Sequence, residues 1–165
     1  MINYEEELKK FKPIQEAVDV EGTIYSRDAT DMMDLMKEIL KRRIRECAGN
    51  KKENCMNCIN CGALLTDEDY CGHCGYNVLV QKKAYYLSDV YYNLGLEKAE
   101  IRDLAGAAEC LQMSLAFNKG NIQSRNLMGL IYFETGETVA ALSEWTISKN
   151  LRPVNNLATE YLEKV

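Results

Sequence analysis

Five of the chain's seven cysteines crowd between positions 55 and 74, and they are the residues with the clearest chemical potential. Cys58-Ile59-Asn60-Cys61-Gly62 and Cys71-Gly72-His73-Cys74-Gly75 are each a CxxC followed by glycine, and nine residues separate Cys61 from Cys71. A CxxC turn sets two thiolates on one side of a tight loop. The glycine after it permits a backbone conformation that other residues resist, and the turned N–H groups can then donate to the sulfurs. Two such knuckles supply four soft ligands at tetrahedral spacing, a set that suits zinc, with Cys58, Cys61, Cys71 and Cys74 as the ligands. Four thiolates leave no open coordination position, which predicts a structural ion; a catalytic zinc keeps one position for water or substrate.

The cluster has competitors. Cys55-Met56-Asn57-Cys58 is a second CxxC, but Ile59 follows it where the knuckle wants glycine, so Cys58 with Cys61 is favoured. His73 sits inside the second knuckle and is expected at the surface. A disulfide scaffold would spread an even number of cysteines along a secreted chain, and a redox CxxC would be a single pair beside a strand–helix unit. Over about twenty positions the chain resembles the zinc-ribbon family. Ala63 to Tyr70 then has the length for a short strand, an acidic turn at Asp67-Glu68-Asp69, and a strand back.

The elements around the cluster read as helical. Residues 2 to 12 form a short helical pattern stopped by Pro13. Asp28 offers an N-cap for a helix whose apolar residues are Met32, Leu35, Met36, Ile39, Leu40 and Ile44, closed by the basic run Lys41 to Arg45. Met32, Met33 and Met36 read as core, the basic run as a solvated helix end, and Cys47 and Cys110 as small buried apolar groups. A polar linker from Gly49 to Asn54 precedes the cysteines. After them, Val78 to Glu100, about 103 to 118, 121 to 134 and 138 to 150 carry helical patterns, and 155 to 165 restarts one beyond Pro153.

This second half repeats itself every 34 residues. Leu94-Gly95 returns as Met128-Gly129, Ala107 as Ala141, Leu111 as Trp145 and Ser114 as Ser148. Small residues at Gly95, Gly129, Ala107 and Ala141 allow two helices to approach closely, and large ones at Leu111 and Trp145 fill the gap to the next pair. The period and these positions resemble the tetratricopeptide repeat. Gly129, Tyr132, Gly136, Ala141, Trp145 and Pro153 stand at its signature positions, whereas Lys98 and Lys119 depart from it. Two repeats and a fraction leave open ends. The helix 156 to 165 is expected to cap one; Val78 to Leu87, the N-terminal helices or a homodimer contact would cover the other.

The fold expected is therefore mainly α: a helical segment at 1–50, a four-cysteine zinc ribbon at 55–77, and a solenoid of helix pairs at 78–165. The resemblance implies that the first helix of each repeat lines a concave face. That face would present Asp89, Tyr92, Asn93, Leu96, Gln123, Asn126, Leu127, Leu130 and Glu134 to a partner protein or peptide. Asn93 stands where some relatives clamp a C-terminal carboxylate, but Leu127 occupies the matching asparagine position and the clamp lysines are absent. A ribbon joined to such repeats is similar to bacterial accessory proteins of chaperone systems.

Function classes narrow accordingly. The 165 residues carry a net charge of −5, so the basic footprint of a general nucleic-acid binder is missing. The alternative reading, a ribbon that binds nucleic acid, also meets the acidic turn between the knuckles. No apolar run approaches a membrane span, and the charged stretch Met1 to Lys12 lacks a signal peptide's apolar core, which predicts a cytoplasmic protein. One histidine allows no Ser-His-Asp set, and there is no phosphate-binding loop or dinucleotide fingerprint. The expectation is a non-catalytic adaptor carrying zinc.

Overall fold

The computed structural model describes residues 2–14, 56–66 and 68–165. The helix expected from Asp28 to Arg45, its methionines and basic run, Cys47, Cys55 and Asp67 lie outside the described residues. Contacts divide the chain into two units, Met1–Ile14 with Ser88–Val165, and Gln15–Leu87.

The first unit is helical. Its elements are α1 (Tyr4–Leu8), the second part of α2 (Leu79–Glu100), α3 (Leu104–Phe117), α4 (Ile122–Glu134), α5 (Thr138–Leu151) and α6 (Leu157–Lys164). Short connections make consecutive helices neighbours: α3 packs on α4, α4 on α5 and α5 on α6. Polar side chains start most of them. Asp103, Asn121 and Asn156 each accept a hydrogen bond from an N–H of the first turn of α3, α4 and α6. Gly136, at φ +84°, makes the turn from α4 to α5.

The 34-residue period has a direct physical counterpart. A Cβ added at Gly95 would lie 2.9 Å from Cγ of Leu111, and one at Gly129 would lie 2.6 Å from Cδ1 of Trp145. Glycine is therefore what lets α2 meet α3 and α4 meet α5 at these levels. Leu111 and Trp145 are fully buried, as are Ala107, Ala141, Ser114 and Ser148. Trp145 lies between Phe133 and Tyr161, both rings tilted against it with centroids 5.9 and 5.0 Å away, and its indole N–H donates to the Asn126 carbonyl at 3.2 Å. The repeats are not identical. Two residues separate the C-cap Asn118 of α3 from the N-cap Asn121 of α4, whereas three separate Arg152 from Asn156. The additional residue is absorbed at Asn155, which takes φ +53°.

The N-terminal segment differs from its sequence pattern. The helix ends at Leu8, not at Lys12, because Lys10 and Phe11 turn their N–H groups to the carbonyls three residues back and Pro13 disfavours helix at Lys12. Nor does the segment cap an end of the stack. It lies along the first helices of the pairs, where Ile2, Tyr4 and Phe11 join the same core as Tyr92, Leu96, Leu127 and Trp145.

The second unit contains the cysteines and the start of α2. The two strands expected between the knuckles are not formed: among the described residues there is no β-strand, only the isolated antiparallel bridges Asn57–Leu64 and Tyr70–Asn77. Each knuckle closes on itself, because its hydrogen bonds run across its own CxxC turn. The small core under them is Met56, Cys58, Leu65, Cys71 and Val78. Among the described residues, no helix is long and apolar enough to cross a membrane.

Candidate metal centre and helical groove

The two knuckles are built alike. The N–H of Gly62 donates to the Cys58 carbonyl and that of Gly75 to the Cys71 carbonyl, both at 2.8 Å. The glycines take φ +73° and +70°, left-handed values that a side chain would strain. Leu65 then returns its N–H to Met56, and Val78 to Asp69, closing each loop.

These turns bring Cys58, Cys61, Cys71 and Cys74 together, with all four sulfurs within 4.8 Å of one another. Cys58 Sγ lies 3.7 Å from Cys74 Sγ, and Cys61 Sγ lies 3.7 Å from Cys71 Sγ. A disulfide would need about 2.05 Å. Four sulfurs each about 2.3 Å from a central ion form a tetrahedron with edges of roughly 3.8 Å, so the spacing fits one metal ion.

The electrostatics point the same way. N–H groups are turned onto the sulfurs: Ala63 onto Cys61, Cys74 and His73 onto Cys71, Tyr76 onto Cys74. The Asn60 carboxamide, then the Tyr76 N–H, pull Cys74 down to about 6. The N–H groups of Cys74 and His73 lower Cys71. At Cys61 the Ala63 N–H favours the thiolate, but desolvation and the three neighbouring sulfurs together outweigh it and push the thiol up to about 12. Protein dipoles thus favour the thiolate at Cys71 and Cys74 but not at Cys61; a bound cation would remove that conflict.

The start of α2 braces both knuckles. Gln81 donates to the Asn57 carbonyl at 2.6 Å and accepts from the Ile59 N–H at 3.2 Å, gripping the first knuckle's backbone. Lys82, only 2% exposed, donates to the Glu68 carbonyl at the approach to the second. Asn60 completes the support with an Nδ2 donation to Cys74 Sγ at 3.5 Å. The sequence reading missed all three. Asn60 had a weak signal, an amide between the two cysteines of a knuckle; Gln81 and Lys82 had none, since they act on main-chain groups. His73 is exposed and Cys110 is half-buried.

The residues expected on a concave face are placed as follows. Tyr92, Leu96, Leu127 and Leu130 lie in the core, and Asp89, Asn93 and Asn126 are also buried. Gln123 and Glu134 are exposed. The Asn126 carboxamide is engaged inside the helical unit: it donates to Asn156 Oδ1 at 2.8 Å and accepts from Ser148 Oγ at 2.6 Å. Asp89 accepts from Asn121 at 3.4 Å.

Tyr92 and Asn93 face the N-terminal segment. Asn93 Oδ1 accepts from the Ile14 N–H at 2.8 Å, while Nδ2 donates to the Ile14 carbonyl at 2.9 Å. The Tyr92 hydroxyl donates to the Lys12 carbonyl at 3.1 Å. Nearer the start of the segment, the Tyr4 hydroxyl donates to the Ala99 carbonyl at 3.0 Å, and the Arg102 guanidinium lies 5.3 Å over the Tyr4 ring. Arg102 holds φ +62°, uncommon for a side chain of its size, and reaches both Glu5 and Glu134. Comparison with models of protein families, with curated proteins and with solved structures gives no match for this chain.

Proposed function

We propose that the protein is a non-catalytic adaptor: helix pairs of tetratricopeptide type bind an extended segment of a partner protein, and a structural zinc ion folds the four-cysteine unit. The observation that carries the binding half is the double hydrogen bond between Asn93 and Ile14. One carboxamide satisfies both main-chain groups of an extended residue, which is how a groove recognises a peptide backbone whatever its sequence. The aromatic and aliphatic residues around it supply the apolar part of such a site.

The zinc half rests on the donor set. Four thiolates at tetrahedral spacing, two of them buried, form a closed site that suits zinc and leaves no position for substrate. The tetratricopeptide reading rests on the glycine–large-residue contacts that recur at the family's period.

The test is a random peptide library screened against the full-length, metal-loaded chain, with Asn93→Ala as the control. Enrichment of peptides whose capture is lost in Asn93→Ala supports the adaptor. Capture indifferent to Asn93, or no capture, counts against the groove as the binding site. Metal analysis should find one zinc per chain, and iron in its place would overturn that part.

A further inference from the structure

The groove already contains a peptide, the chain's own residues 2–14. We propose that this segment is a built-in ligand, and that the partner is a peptide of the same chemistry which must displace it. The inference rests on the adaptor reading and specifies its ligand.

The bound segment shows what that chemistry is. A single acidic helical turn, capped by Asn3, carries Glu5, Glu6 and Glu7. It presents Tyr4 and Leu8 one turn apart, then Phe11, to the apolar floor. The helix ends at Leu8, and beyond Phe11 the backbone is gripped at Lys12 and Ile14. The ligand is thus a short acidic helix with an aromatic and an aliphatic anchor at i and i+4, followed by a non-helical proline-containing stretch.

Two features make the segment replaceable. Its polar contacts to the helices are hydrogen bonds to main-chain atoms and ion pairs whose helix-side partners, Arg102, Glu160 and Lys164, are exposed, while Glu7, paired with Lys164, is itself buried. Arg102–Glu5 joins side chains 54% and 72% exposed, and such pairs contribute about 0–1 kcal/mol. The fit is also incomplete. A pocket of about 480 Å³ remains beside Tyr4, Leu8, Phe11, Glu100 and Arg102. A ligand with a bulkier side chain at the place of Leu8 or Lys9 would fill it, which gives an external peptide the advantage it needs over a tethered one.

Competition lowers apparent affinity by the fraction of time the groove is open, so loosening the segment should strengthen binding in trans. The probe is a fluorescent synthetic peptide with the sequence of residues 2–14. The proteins are the full chain and the full chain carrying Tyr4→Phe with Arg102→Ala, which keeps the ring and removes the Tyr4–Ala99 hydrogen bond and the Arg102 contacts. The expected result is binding about tenfold or more tighter to the loosened chain, lost again when Asn93→Ala is added. Equal binding to both chains, or binding indifferent to Asn93, overturns the proposal. Should the loosened chain melt early, a protease site placed after Ile14 in the otherwise intact protein replaces it. Exchange of the cleaved segment for the labelled peptide supports the proposal, and its retention overturns it. Library peptides that bind the intact chain through Asn93 without releasing residues 2–14 would leave the adaptor standing and sink this inference. Exchange of the labelled peptide, with no library peptide captured, would do the reverse.

Discussion

The cysteine unit and the helical unit are held together in opposite ways. In the first, among the described residues, the four clustered sulfurs sit on a core of five residues that includes two of the cysteines, and the peptide groups around them close each turn and aim at the sulfurs. In the second, sixteen buried apolar side chains share the work, and the same steric device, a glycine against a large residue, is used twice. The contrast separates a fold that depends on one point from a fold that depends on a surface. The first should fail all at once, the second by degrees.

Metal removal is the sharpest way to probe that difference. Apparent binding energies of structural zinc, about 10 to 16 kcal/mol, are folding energies for a unit this small. Chelation or Cys71→Ser should unfold the cysteine unit, read as lost metal and lost amide protection at Cys58 and Gly75, while most helical circular dichroism persists. Helicity collapsing in step with metal loss would make the two units one cooperative system. Cys55→Ser should leave one metal per chain.

Within the helical unit, Trp145→Ala should cost about 3 to 5 kcal/mol in denaturant unfolding, since it empties a space bounded by Phe133 and Tyr161. A cost below about 1 kcal/mol would mean that Trp145 does not hold the pairs together. Smaller effects come from filling space. Gly129→Ala drives a Cβ into the flat, buried indole and should cost about 1 to 3 kcal/mol. Gly95→Ala meets Leu111 Cγ at 2.9 Å and the Ala107 carbonyl oxygen at 3.3 Å, a wider gap against a side chain less rigid than the indole, and should cost less. Reversal of that order would show that rigidity of the facing side chain is not what matters.

The smallest effect concerns pH. Burial alone would raise the Glu7 carboxyl, but the ammonium groups of Lys10 and Lys164, 2.6 and 3.0 Å away, together outweigh it and hold Glu7 below its ordinary 4.5. A depressed folded value means the stabilisation is complete above 4.5 and is lost as pH falls through the lower folded value. Both lysines are more than a third exposed, so it should amount to about 1 kcal/mol at most. Glu7→Gln should flatten the stability profile below pH 4.5 and leave the metal unit unaffected.

What the sequence disclosed follows from the same contrast. Ligand spacing is local, so Cys58, Cys61, Cys71 and Cys74 could be read from twenty residues. Steric period is also legible, because a glycine and the large residue it faces recur together, as Gly95 with Leu111 and Gly129 with Trp145. The strands expected between the knuckles failed because turn residues fix each CxxC loop but say nothing about pairing between loops. The role of residues 2–14 was invisible for a different reason. Asn93 grips a backbone 79 residues away, and a main-chain partner leaves no mark in the sequence.

That separation also sets an order of events during synthesis. The segment 2–14 is made before the helices it contacts, and Asn93 follows 79 residues after its partner Ile14, about 4 to 16 s later at ordinary elongation rates. The described residues that support the four cysteines, through Tyr85, are made before Tyr92. The four cysteines can therefore come together while the N-terminal segment still has nowhere to dock. During that interval Ile2, Tyr4 and Phe11 are bare apolar side chains on a nascent chain, available to whatever meets it first.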